Sequence, residues 1–128
     1  MHELIRRRLT GREEGFTLIE LLVVIVILGV LLAIAVPSYM GFRDRAQKAA
    51  AKSNVRAAVP AVEAYYQDHN TYLLMTRAWL LTGYDAGLKL SSTAIRVSAT
   101  GYCIQDTQGS YTYKKNGPTQ NITTLACT

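Results

Sequence analysis

The sequence predicts an α+β protein in which one long N-terminal helix, apolar in its first half and amphipathic in its second, packs on a small antiparallel sheet. Three observations carry this. Residues 16–36 form an apolar run with a single ionisable residue, Glu20. Residues 38–70 continue with helical periodicity and interleaved polar residues. Beyond residue 90 the pattern changes to short alternating segments separated by glycine, asparagine and proline.

The 128 residues have room for one modest domain, and the 49% hydrophobic content is concentrated in the run FTLIELLVVIVILGVLLAIAV. As a helix its 21 residues would be roughly 31 Å long, enough to cross the hydrocarbon core of a bilayer. The remaining residues downstream suffice for a small domain whose core is marginal without a partner or a staple.

An ordinary secretory signal places its cleavage site after a short apolar stretch. Here the one processing point, Gly15, precedes the apolar run, so cleavage there removes a short charged leader and leaves the hydrophobic helix on the mature chain. That leader, residues 1–15, carries Arg6, Arg7, Arg8 and Arg12 against Glu3, Glu13 and Glu14, a balance of +1 that leaves +4 of the formal +5 for the rest. The basic residues beyond position 57 (Arg77, Lys89, Arg96, Lys114, Lys115) are scattered in sequence, a bias toward anionic surfaces and no more.

The second half of the helix, residues 38–70, repeats Val55, Val59, Val62 and Tyr66 at spacings of four, three and four, an apolar stripe with Arg56, Glu63 and Gln67 facing water. Asp44 and Lys48 add an i,i+4 pair. Gly29, Pro37, Gly41 and Pro60 interrupt good helix formers and mark bends or melting points. Asn70 suits a left-handed cap, and the head, residues 71–128, begins there.

In the head, Thr76 caps a short helix to Leu81 that holds Trp79, followed by a turn from Gly83 to Gly87. Ser92–Ala99, Tyr102–Gln105, Ser110–Lys114 and Ile122–Leu125 read as strands, with turns at Asp106–Gly109 and Asn116–Pro118. The positive-inside rule keeps the arginine-rich end in the cytoplasm, so Cys103 and Cys127 face an oxidising exterior and a disulfide is expected. For a loop of about 25 residues the chain-entropy estimate is about 3.5 kcal/mol. The alternative is two separate buried thiols.

Glu20 stands alone in the apolar run. A carboxylate within hydrocarbon costs about 2.5–3.5 kcal/mol and is usually functional and partnered. Cleavage after Gly15 would create a positive amine on Phe16, and in a staggered bundle that amine can approach Glu20 of a neighbour. The alternative role is complementing the dipole of the first helical turn, worth about 0.3–1 kcal/mol.

The residues Glu14-Gly15-Phe16-Thr17-Leu18-Ile19-Glu20, with Gly29 inside the helix and Pro37 ending the apolar stretch, resemble the prepilin motif of type IV pilins and type II secretion pseudopilins. The likeness is specific over residues 11–45 and architectural beyond. It implies a pilin-like fold, cleavage between Gly15 and Phe16 by an aspartic prepilin peptidase, and N-methylation of Phe16. It also implies a transmembrane and assembly helix over residues 16–37, with helicity lost between Gly29 and Pro37 on assembly, or else a simple kink. The cysteine-bounded region 103–127 would shape surface and inter-subunit contacts.

The implied partners are identical subunits in a helical homopolymer, the peptidase, an inner-membrane assembly platform with its ATPase-driven machinery, and DNA or surfaces. The chain would sit in the inner membrane before assembly and in an extracellular pilus after it.

Four functions compete: a filament-forming pilin for adhesion, motility or DNA capture; a type II secretion pseudopilin; a minor or competence pilin binding DNA; and an unprocessed single-span membrane protein. Major pseudopilins of that resemblance commonly carry an acidic calcium site near the C-terminus and often lack the terminal disulfide. Here the last 23 residues hold one acid, Asp106, which favours the pilin.

Tyr65, Tyr66, Tyr111 and Tyr113 read as half-buried packing residues, with base stacking as the alternative. Asn121-Ile122-Thr123 fits a glycosylation sequon, a pattern frequent by chance. His2 lies in the leader and His69 is isolated, so no metal set and no cofactor are expected. No nucleophile–base arrangement is visible, and the chain is not expected to be an enzyme.

Overall fold

The computed structural model describes residues 15–91 and 95–127; the predicted leader up to Glu14 and the first three residues of the predicted strand 92–99 lie outside them. Helix α1 spans Leu18–His69 and is uninterrupted at Gly29, Pro37, Gly41 and Pro60. It closes as the sequence predicts. Asn70 takes φ 52°, and its N–H donates to the Tyr66 carbonyl at 2.7 Å, the five-to-one bond of a left-handed C-terminal cap.

The chain divides into two compact units, one ending at Met40 and the other covering Gly41–Thr128. In the second, α1 buries Ala51, Val55, Ala58, Val62 and Tyr65 at alternating spacings of four and three. The predicted stripe is therefore corrected by a small rotation. Val59 and Tyr66 are only partly buried at its flank, and Ala51, Ala58 and Tyr65 take the centre. Alanine's small side chain lets another element approach the helix closely, which a reading weighted toward large apolar residues overlooks. Glu63, expected to face water, is half-buried. Lys48, expected to pair with Asp44, places its Nζ over the Tyr111 ring, 4.6 Å from the centroid.

Helix α2, Arg77–Gly83, is capped by Thr76, whose Oγ1 accepts from the Trp79 N–H at 3.2 Å. It runs two residues past the predicted end at Leu81 and buries Leu80. Arg77 Nε donates to the Leu90 carbonyl at 2.8 Å and ties the helix to the segment leading into the sheet.

Four strands follow, β1 (Ile95–Val97), β2 (Tyr102–Gln108), β3 (Tyr111–Gly117) and β4 (Ile122–Thr123), forming an antiparallel meander in chain order. Residues Asp106–Gln108, expected in a turn, belong to β2. The turn is the two residues Gly109 and Ser110, with Gly109 at φ 58°. Asn116 and Gly117, also expected in a turn, belong to β3, and the reversal falls at residues 118–120. The reason at Gly117 is steric. The Tyr102 ring of the paired strand lies where a Cβ would stand, so only glycine fits opposite it. Strand β4 stops at Thr123, two residues short of the expected edge.

The core joins Val55, Ala58, Val62 and Tyr65 of α1 to Tyr72, Met75, Leu80, Leu88 and Leu90 of the connection and to Tyr102 and Ile104 of β2. A disulfide links Cys103 of β2 to Cys127, 24 residues on, with Cα atoms 5.9 Å apart. The expected bond is present, and it holds the segment after β4 to the second strand.

Candidate functional site

The first turns of α1 are built by Thr17 and Glu20. Thr17 precedes the helix, and its Oγ1 accepts from the Glu20 N–H at 3.2 Å. In return Glu20 Oε2 accepts from the Thr17 N–H at 2.8 Å and from the Thr17 hydroxyl at 2.9 Å. This is a reciprocal capping box, which satisfies donors that every helix start leaves open. The carboxylate also lies at the positive end of the helix dipole. Thr17 is a residue that the sequence reading passed over, although the spacing Thr17-x-x-Glu20 displays the capping-box pattern directly.

Around and beyond this cap the side chains point outward on every face. Phe16 is 92% exposed, and the large apolar residues from Leu18 to Val36 are all at least 48% exposed. The helix is long and apolar enough to cross a membrane, and none of its apolar window is buried. An all-round apolar helix is stable only in lipid or against other helices. Gly29 sits within it with open space where a Cβ would be, and Pro37 continues it without a break.

The head presents different chemistry. Glu63 of α1 accepts from the Tyr72 hydroxyl at 3.1 Å and the Tyr102 hydroxyl at 3.3 Å, and the two rings meet edge to face at 4.9 Å. Burial, followed by the hydrogen bond and charge of Glu63, pushes the Tyr72 hydroxyl up to about 12. The same causes, burial first, raise Tyr102. Tyr65 stacks on His69 at 4.1 Å, and Tyr66 packs against Tyr72 at 4.5 Å. Tyr65, Tyr66 and Tyr113 are packing residues, and Tyr111 lies beneath Lys48.

Asp106 is 3% exposed. Its Oδ2 accepts from Asn54 Nδ2 at 2.8 Å and Gln108 Nε2 at 2.9 Å, and its Oδ1 from Ser91 Oγ at 3.3 Å. The carboxylate is thus used up in tying α1, the segment before β1 and β2 together. Among the described residues no three of His, Cys, Asp and Glu converge to hold a metal ion.

The family model for the prokaryotic N-terminal methylation motif matches residues 11–36. The chain is 33% identical over 92 residues to the type IV wide pilus major component PilA4 of Thermus thermophilus, covering 71% of this chain and 70% of that protein. It is 38% identical over 65 residues to the type IV major pilin protein PilA of Myxococcus xanthus, across 51% of this chain and 30% of that one. Against the type II secretion system core protein G of Escherichia coli it is 43% identical over 65 residues, across 51% of this chain and 45% of the relative. The chain therefore spans less than half the length of these last two. No solved structure matches it.

A methylation motif opening an unburied apolar helix, whose continuation forms the core of a four-stranded α+β head, defines a pilin-like structural subunit. The chain belongs to the type IV pilin and type II secretion pseudopilin family.

Proposed function

We propose that the chain is the structural subunit of a type IV pilus-like extracellular filament, cut after Gly15, methylated on Phe16 and assembled through α1. The observation that carries this reading is the apolar first half of α1, exposed on every face. In the membrane that surface meets lipid, and in a filament it meets the same helix of other subunits. Transfer between the two never exposes it to water, where burial is worth about 25 cal/mol per Å². Glu20 then pairs with the Phe16 amine of a neighbour and sets the register, exchanging its bonds to Thr17 for a charged partner. Gly29 to Pro37 is the segment that can lose helicity as subunits pack. The implied partners are further copies of the chain, a prepilin peptidase and an ATPase-driven assembly platform in the inner membrane.

The likeness to core protein G favours a second reading, a pseudopilin of a type II secretion system. Two features weigh toward the pilus. The disulfide closes the C-terminal region, and Asp106, the last acid in the sequence, is buried and hydrogen-bonded rather than free to hold calcium. The test is co-expression with a prepilin peptidase, mass spectrometry of the mature N-terminus and electron microscopy of sheared fibres. A mature chain beginning at methylated Phe16 and fibres containing it are expected. An intact leader and fibres lacking the chain would sink the proposal.

A further inference from the structure

Lys115 lies about 60 residues along the chain from Lys52 and Arg56, yet the fold carries it to these two cations of α1. Lys52 and Arg56, one helical turn apart, line a groove of about 570 Å³ with Lys115 of β3 on the opposite wall. Gln120 and Asn121 also line the groove, as do the apolar residues Val59 and Ile122. None of the described residues that line the groove is acidic.

Lys115 fastens the turn after β3, but among the described residues its two neighbours in the groove do nothing comparable for the fold. Lys52 and Arg56 are exposed, and like charges at i,i+4 repel each other and weaken a helix. Lys115 Nζ donates to the Pro118 carbonyl at 3.3 Å and the Gln120 carbonyl at 2.6 Å. An ammonium has three donors, so one remains while the head is held in place by the turn. A multiply charged anion with several acceptor oxygens would relieve the repulsion and accept from both walls. Phosphate meets that description better than a carboxylate, because it offers more acceptors to the planar fork of Arg56 and can carry more charge.

We propose that this groove, between α1 and the turn from β3 to β4, is a phosphate-binding site, with Lys52, Arg56 and Lys115 as its charged ligands. The site lies wholly within the unit Gly41–Thr128.

Calorimetric titration of the full chain in a zwitterionic detergent tests this with two soluble probes, sodium tripolyphosphate and glycerophosphoglycerol, the headgroup of an anionic lipid. Saturable binding of tripolyphosphate, one per chain, is expected. Lys52→Gln combined with Arg56→Gln should weaken it about tenfold or more, whereas Lys89→Gln, an exposed cation elsewhere on the head, should leave it unchanged. Circular dichroism confirms that the variants fold. If glycerophosphoglycerol binds as tightly as tripolyphosphate, the source is a phospholipid headgroup; if tripolyphosphate alone binds, it is a free polyanion. No saturable binding of either probe would overturn the site, as would equal weakening by Lys89→Gln.

Discussion

Asn54 of α1 donates through Nδ2 to the buried carboxylate of Asp106 on β2 at 2.8 Å, joining residues 52 positions apart. Hydrogen bonds to a charged acceptor contribute about 1.5–3 kcal/mol. Asn54→Ala should therefore lower the unfolding free energy of the head by about that amount, since Asp106 loses a donor without regaining water. Urea denaturation followed by tyrosine fluorescence measures it. A loss within experimental error would mean that Ser91 and Gln108 alone satisfy the carboxylate.

Alkaline pH should destabilise the head through Tyr72. Its folded value lies near 12, above the ordinary phenol value of 10. Between these values the unfolded chain releases the proton and the folded chain keeps it. The contribution is complete below pH 10 and is lost as pH rises toward 12. Tyr102 is raised in the same direction and adds to the effect. Stability measured from pH 9 to 12 should fall, and Tyr72→Phe should flatten part of the fall because it removes the titrating group.

Reduction should loosen the C-terminal segment. For a closed loop of this length, opening Cys103–Cys127 is expected to cost about 3.5 kcal/mol. Denaturation with and without reductant gives the difference. Hydrogen exchange should rise chiefly after residue 117, with α1 little changed.

Gly117→Val places a branched side chain where the Tyr102 ring lies. Overpacking of this kind costs about 1–3 kcal/mol, and here it also displaces a hydroxyl from Glu63. A lowered melting temperature is expected. Combining the change with Tyr102→Ala, which clears the space, should cost less than the two single changes added together.

Thr17 and Glu20 can be separated by their variants. Thr17→Val removes the cap hydroxyl, worth about 1 kcal/mol at the helix start, and keeps the carboxylate. Glu20→Ala removes both the cap partner and the charge. On the proposed function, both variants insert and are cleaved, Thr17→Val assembles near normally and Glu20→Ala assembles poorly. Equal fibre yields, measured by shearing and gel quantification, would reduce Glu20 to a helix cap.

What could be read in advance was local. The apolar run, the Thr76 cap and the left-handed Asn70 each depend on residues within a turn of one another, and the structure keeps all three. The misplaced turns came from contacts that sequence spacing does not display. Asn116-Gly117 carries the composition of a turn, yet the Tyr102 ring holds Gly117 in a strand. Asp106 looks like a turn residue until Asn54, half the sheet and a helix away, is brought to it. The helical stripe points Glu63 to solvent, and nothing in it announces the two tyrosines that arrive from elsewhere in the head. At the candidate site, the capping box was legible and overlooked, whereas the meeting of Lys52 and Arg56 with Lys115 required the fold.

The Cys103–Cys127 bond divides the head between parts that must be kept and parts that are free to change. Cys103 lies in a buried stretch of β2, while between β4 and Cys127 the chain carries the exposed Leu125 and contributes nothing to the fully buried core. With its far end fastened covalently, that stretch can exchange one surface chemistry for another without the fold having to be solved again. It is a replaceable panel on a permanent frame.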